Sequence, residues 1–339
     1  MNPEVNRMSV LTRPAVLLAG VTLTAGLLVA PGAAWAADTT TSLTAAQMRT
    51  ALRAVATAST TAGAGGWAGV TDITVTFPGQ SITVKDTLNV DPVNGRFGQV
   101  SSVTGEGSES RFAAEGQGYW TQAGYSEAKA LKMMGKSGIK YVFAADKKRK
   151  LSQYLRDSEL DMASMVDYFV TPGTKTVHDD GSVDYKVTEN AGSVTVVMHT
   201  TGKGVLTAVD MSATGLTGGT VFTYAPQTVT LPAAAESLDA ATVNKGVAYL
   251  DMARTVQAAA QNGAASTRKA AKGRTVKVAT LRKLVRKDVT GANRSVGVTM
   301  VNVKDVTGGV RVSATNPWTR KSVAYTVKAS GRKVVVKKV

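Results

Sequence analysis

Between Val70 and Tyr119 apolar and polar positions alternate with a period of two. Ile73, Val75 and Phe77 point one way and Asp72, Thr74 and Thr76 the other. After Pro78-Gly79 the alternation resumes, with Ile82, Val84, Leu88 and Val90 set against Thr83, Lys85, Thr87 and Asn89. A period of two with turn residues between runs predicts antiparallel strands with one covered face. Further strands are predicted over Phe97 to Val103 and Ser110 to Tyr119, separated by Asp91-Pro92, Asn94-Gly95, Gly105 and Gly107. The pattern returns over Gly181 to Thr188, Ser193 to Thr200, Val205 to Ala213, Gly219 to Tyr224 and Thr228 to Pro232. Asp180-Gly181 and Gly202-Lys203-Gly204 stand where hairpin turns belong.

The covering elements have a helical period. Ser42 is positioned to cap a helix from Leu43 to Thr60 whose stripe is Leu43, Met48, Leu52 and Val55. Between the two strand sets, Asp146 to Val170 reads as two helical pieces. Leu151, Tyr154 and Leu155 share one face, and Met162, Met165, Val166 and Phe169 share another. Packed core produces such a stripe; methionine's adaptability also suits a deformable pocket.

Beyond Leu238 a connecting helix is predicted to Asn262, with Asn262-Gly263 as its stop. The basic stretch 266–277 reads either as a solvated linker or as a binding arm. Thr280 is read as the cap of a short helix carrying Leu281, Leu284 and Val285. Short strands follow over Val296 to Lys304, Gly309 to Thr315, Ser322 to Ala329 and Lys333 to Lys338. The order predicts an α+β chain: a curved antiparallel sheet closed by helices, then a small C-terminal helix-and-antiparallel-sheet domain.

Composition changes this picture in three ways. There is no cysteine among the 339 residues, so disulfides, Cys-ligated zinc and attachment of lipid to an N-terminal cysteine are excluded. Residues 1–36 read as a signal peptide: Arg7 and Arg13, the apolar run Ala15 to Ala30, a Pro31-Gly32 break and Ala34-Trp35-Ala36 as cleavage site. An extracytoplasmic, secreted product cleaved after Ala36 is expected. The net charge of +16 is unevenly placed: from Asp251 onward 20 Lys and Arg face 3 acids, +17, which leaves −1 for the rest. A tail of this kind is expected to meet polyanions. Its candidate residues are Arg268, Lys269, Lys272, Arg274, Lys277, Arg282, Lys283, Arg286 and Lys287. Outside a membrane the partners of that chemistry are an anionic envelope polymer or a membrane surface. No specific nucleic acid is expected, since only Trp318 and Tyr325 offer stacking platforms.

Catalytic patterns are weak. The two histidines, His178 and His199, lack metal-site spacing, and no G-x-S-x-G elbow occurs. Gly135-Lys136-Ser137 lacks the upstream glycine of a phosphate loop, Ala130 standing in its place. Glu106, Glu109 and Glu115 fit a solvated rim as well as an acid/base pair. No enzyme, cofactor or metal is expected.

The string Val221-Phe222-Thr223-Tyr224-Ala225-Pro226-Gln227-Thr228-Val229-Thr230-Leu231-Pro232 is an aromatic strand running into a Pro-terminated segment. It follows a meander reaching Gly118-Tyr119-Trp120, a helical insertion and the turn Gly204-Val205-Leu206. Together these resemble the LolA/LprG-like family of periplasmic lipoprotein carriers and their actinobacterial lipid-binding relatives, over about Asp38 to Glu236. The resemblance implies an incomplete β-barrel with helices closing the open side and an acyl chain or lipid held between them. The actinobacterial relatives are usually anchored through a cysteine that this chain lacks, which favours release outside the membrane. On this reading residues 37–236 are the lipid-binding domain, 237–262 the connecting helix and 263–339 the basic domain. The cavity lining is then Ile82, Val84, Leu88, Val90, Phe112, Leu151, Leu155, Met162, Met165, Val166, Phe169, Val196, Met198, Val209 and Met211. An envelope adhesion or scaffold protein with a packed, ligand-free N-terminal part is the alternative.

Overall fold

The computed structural model describes residues 38–157, 162, 169–189 and 193–339. In chain order the first elements are β1 (Thr39–Leu43), α1 (Ala45–Ala62), β2 (Trp67–Phe77), β3 (Gln80–Asp91), β4 (Arg96–Val103), β5 (Gly107–Ala114), β6 (Gly118–Gln122), α2 (Tyr125–Met133), β7 (Tyr141–Ala145) and α3 (Leu151–Asp157). Then come β8 (Gly173–Val177), β9 (Val183–Glu189), β10 (Val194–Thr200), β11 (Leu206–Ala213), β12 (Leu216–Thr223), β13 (Ser237–Asp239), α4 (Ala240–Leu250), α5 (Met252–Ala271) and α6 (Val278–Ser295). The chain closes with β14 (Asn302–Val306), β15 (Gly309–Thr315), β16 (Ser322–Ser330) and β17 (Lys333–Lys338).

The fold is α+β. Strands β1 to β13 form one large sheet that is not closed into a barrel, and β14 to β17 form a separate antiparallel sheet. The large sheet is mixed rather than purely antiparallel, because β13 pairs with β7 in parallel. Some ninety residues separate those two strands, so no hairpin dictates their direction. The chain divides into two compact units. One holds residues up to Thr87 with Val103–Glu106 and Leu155–Pro226; the other holds Leu88–Ser102, Gly107–Tyr154 and Gln227–Val339.

In the first unit the strand order is β1-β8-β9-β10-β11-β12-β2, with β3 beyond. Helix α1 buries Met48, Leu52, Val55, Ala56 and Ser59 and packs on β11 and β1. Its cap is Thr44 rather than Ser42: Thr44 and Gln47 form a reciprocal capping box, whereas three residues after Ser42 stands Ala45, which cannot reach back. Ser42 instead pairs with Thr174 in β1. The face under α1 carries buried Trp67, Tyr185, Val187, Val196, Met198, Val209 and Phe222.

A bulge completes that face. His199 pairs with Ala208 but Thr200 pairs with Leu206, so Thr207 is the extra residue and Leu206 turns inward. Side chains bond the Leu206 backbone there: its N–H donates to Ser59 Oγ at 2.9 Å, and its carbonyl accepts from the Tyr224 hydroxyl at 2.7 Å. The opposite face carries a cross-strand row of hydroxyls from Thr188, Thr195, Ser212, Thr217 and Thr74, together with the exposed pair Val70 and Val221.

In the second unit, Leu131, Met134, Val142 and Val243 form one buried cluster. A larger one joins Val256, Ala260, Val285 and Met300 to Val310, Val312 and Val327 of the small sheet. The predicted connecting helix is two helices, α4 and α5, meeting at Asp251. Gly263 is not a stop but lies inside α5, where a Cβ would come within 2.8 Å of Val285 Cγ2. The short helix expected at Thr280 is the 18-residue α6, beginning at Val278. Residues 228–232 form no strand, and β14 starts only at Asn302, after Asn293 has bonded the backbone of Met300 and Val301.

Candidate functional site

The first unit presents an apolar surface beyond the reach of α1. In the β2–β3 hairpin Thr74 bonds Thr83, Thr76 bonds Ser81 and Lys85 pairs with Asp72, all on the polar face. Ile73, Val75, Ile82 and Val84 therefore point to the other face. Register extends them into two rows. In one, Ile73 is opposite Gly218 and Gly218 opposite Met211; in the other, Val75 is opposite Leu216 and Leu216 opposite Ala213, which faces Val194. Every side chain in these rows is half-buried, while Val196, next to Met211, is buried. The outer row spans β3 to β10, four interstrand steps or about 19 Å.

Gly218 notches this surface. Its φ is +138° and a Cβ would stand 2.1 Å from the Asp72 carbonyl oxygen, so the gap between Ile73 and Met211 stays open. The arrangement offers an apolar strip with a bare backbone floor, suited to a flexible hydrocarbon chain.

The residues predicted to line the cavity are distributed over both units. In the first, Leu155, Met162, Val196, Met198 and Val209 are buried, and Ile82, Val84, Met211 and Phe169 half-buried. In the second, Leu88, Val90 and Leu151 are buried and Phe112 is half-buried, its ring edge-on to Tyr141. Met165 and Val166 lie outside the described residues. Ile73, Val75 and Leu216 join the strip although none was among the predicted lining. Ile73 and Val75 carry the same alternation as Ile82 and Val84, but Leu216 is brought to them only by pairing of strands some 140 residues apart.

The small sheet carries the second surface. Lys304 is opposite Arg311, Arg311 opposite Thr326 and Thr326 opposite Lys337, on the face away from buried Val310, Val312 and Val327. Lys328 stands two residues along on that same face. Lys304, Arg311, Lys328 and Lys337 are all exposed. Like charges in adjacent cross-strand positions repel, and a polyanion laid along the row relieves that repulsion.

The predicted basic residues separate into two kinds. Arg268 and Lys269 occupy the last turn of α5, Lys272 its left-handed cap, Arg274 the loop and Lys277 the start of α6. Those five, with Lys283 and Lys287, are exposed. Arg282 instead donates to the Val306 and Gly309 carbonyls, and Arg286 meets Asp305 at 2.6 Å. These two arginines clamp the β14–β15 hairpin. Tyr325 faces the core opposite Val312, and Trp318 packs edge-on against Tyr249.

The remaining candidates have structural partners. Glu115 accepts from Lys150 Nζ at 2.7 Å and from the Leu151 N–H at 3.1 Å, fixing the start of α3. The Lys150 hydrogen bond, then that of Leu151, holds its carboxyl below the ordinary value. Glu106 and Glu109 are exposed. Gly135-Lys136-Ser137 closes α2 rather than preceding a helix: Lys136 N–H donates to the Leu131 carbonyl and Gly135 has φ +72°. Among the described residues no group of three or more His, Asp or Glu is placed to hold a metal ion.

No protein-family model matches the chain, and no curated protein does. The solved structure of an uncharacterized conserved protein from Thermus thermophilus is similar at 7% identity, over 55% of this chain and 98% of that one, with a TM-score of 0.28. A likeness at that level carries no argument about fold or function.

Proposed function

We propose that this chain is a non-enzymatic extracytoplasmic carrier that holds a lipid or acyl chain on the apolar strip of its first unit. Its basic small sheet meets an anionic envelope polymer or membrane surface. In this reading the large sheet is the incomplete barrel of a lipoprotein-carrier-like domain, with α1 covering the apolar face of its first unit. The observation that carries the proposal is the pair of half-buried rows containing Ile73, Met211, Val75 and Leu216. They extend the apolar face outward from the covered core, past the hydrogen-bonded hydroxyls of Thr71 and Thr220 on that same face. At roughly 25 cal/mol per Å² of apolar area removed from water, covering such a strip favours a long hydrocarbon chain.

The test is native mass spectrometry of the purified full chain, with extraction of bound lipid. The wild-type protein is expected to carry lipid, and Val75→Asp with Leu216→Asp to lose it while unfolding cooperatively as before. Lipid-free wild-type protein that also fails to take up a fluorescent fatty acid sinks the reading. An envelope adhesion or scaffold role is favoured by the cationic row alone. It predicts surface attachment that is unchanged by the two aspartates.

A further inference from the structure

On the polar face of the first unit, both histidines of the chain lie in one line with three carboxylates. His178 Nδ1 is 2.9 Å from Asp38 Oδ2, and its Nε2 is 3.1 Å from Asp184 Oδ2. His199 Nδ1 is 2.8 Å from Asp184 Oδ1, and its Nε2 is 3.2 Å from Asp210 Oδ2. Asp184 thus serves both rings. The line starts at Asp38, just before β1, and ends on β11.

A neutral imidazole has one N–H; its other nitrogen is a lone pair. Here all four ring nitrogens face carboxylate oxygens, an arrangement that only two imidazolium rings satisfy fully. Loss of either proton sets a lone pair against a carboxylate and breaks one contact. Of the four, the contact to Asp38 has least to hold it: Asp38 is exposed, and β1 is an edge strand whose residues Thr39 to Ser42 are exposed. The strand has no charged residue, and its side chains reach β8 through the bond of Thr40 to Thr176.

We propose that Asp38, His178, Asp184, His199 and Asp210 form a proton-dependent latch that fastens β1 to the edge of the sheet. The surrounding charges are few. Asp179 and Asp180 sit in the turn after His178, with Asp180 accepting from the Ser182 N–H. Lys186 lies two residues from Asp184 on the same face, and the Asp72–Lys85 pair lies beyond Gly219 from Asp210. Hydrogen bonds from Asp184 first, and then Asp38, raise the His178 pKa above its ordinary value. A raised folded-state value means the latch is fully engaged below the ordinary histidine pKa and is lost as pH rises through the folded one.

Hydrogen exchange of the full chain at pH about 5.5 and about 8, corrected for intrinsic rate, tests this on either side of the ordinary histidine pKa. The β1 amides are expected to open more readily at the higher pH, about tenfold for each unit by which docking raises the His178 pKa. Asp38→Asn is expected to abolish that dependence while β10–β11 exchange stays unchanged. In NMR titrations the His178 imidazole signal, assigned with His178→Gln, should titrate at lower pH in Asp184→Asn. Protection of β1 that does not change with pH in the wild type, or a His178 titration indifferent to Asp184→Asn, overturns the latch.

Discussion

Ser59 shows how one buried hydroxyl fixes a local irregularity. The bulge at Thr207 turns Leu206 inward, and the hydroxyl of Ser59, a residue 1% exposed, accepts the Leu206 N–H. Ser59→Ala removes that acceptor in a place water does not reach. A buried unsatisfied donor costs about 1–3 kcal/mol, so Ser59→Ala is expected to lower stability by that amount in urea unfolding, with an unchanged m-value. Ser→Ala at an exposed helix position such as Ser152 is the control and should move stability by less than about 0.5 kcal/mol. Equal effects at the two sites would mean the Leu206 N–H finds another partner.

At the scale of elements, Gly263 is where helix propensity and packing disagree. In an isolated helix alanine is better than glycine by about 1 kcal/mol. Here a Cβ meets Val285 Cγ2 at 2.8 Å and Val285 Cα at 3.0 Å, and the α5–α6 crossing has to open to admit it. Gly263→Ala is therefore expected to destabilise by about 1–3 kcal/mol in thermal unfolding. A stabilised variant would show that the crossing yields freely. The sequence invited the opposite reading, because Asn-Gly after a helical stripe is also a stop signal, and only the partner helix separates the two roles. Other elements divide the same way. Strands β2, β3, β9, β10, β15 and β16 were legible because one face is buried and alternation records it. Strand β7 is a five-residue apolar run without alternation, and β13 is three residues long; neither has room for a period. Half of the apolar strip was legible as Ile82, Val84 and Met211. Leu216 was not, since its place depends on register with β2 rather than on any local pattern.

For the whole molecule the decisive quantity is where charge sits, not how much there is. The last 89 residues carry +17 of a net +16, yet the structure assigns these cations different tasks. Arg282 and Arg286 are engaged by carbonyls and Asp305, so replacing them should disturb the hairpin more than the surface. Lys304, Arg311 and Lys337 stand in one exposed row with no acid among their cross-strand partners. Near an anionic surface each such cation contributes enough that removing three weakens binding by about a hundredfold. Lys304→Gln, Arg311→Gln and Lys337→Gln together are expected to reduce binding to phosphatidylglycerol vesicles by that factor at low salt. The wild-type protein should lose most of its binding near 1 M salt, where the Debye length shrinks to about 3 Å. Arg282→Gln should instead lower the melting temperature and leave vesicle affinity within about twofold at temperatures where the variant remains folded. If the triple variant binds as the wild type does, attraction resides in the α5–α6 cations Lys269, Lys272, Lys283 and Lys287. The sheet row is then only a solvated face.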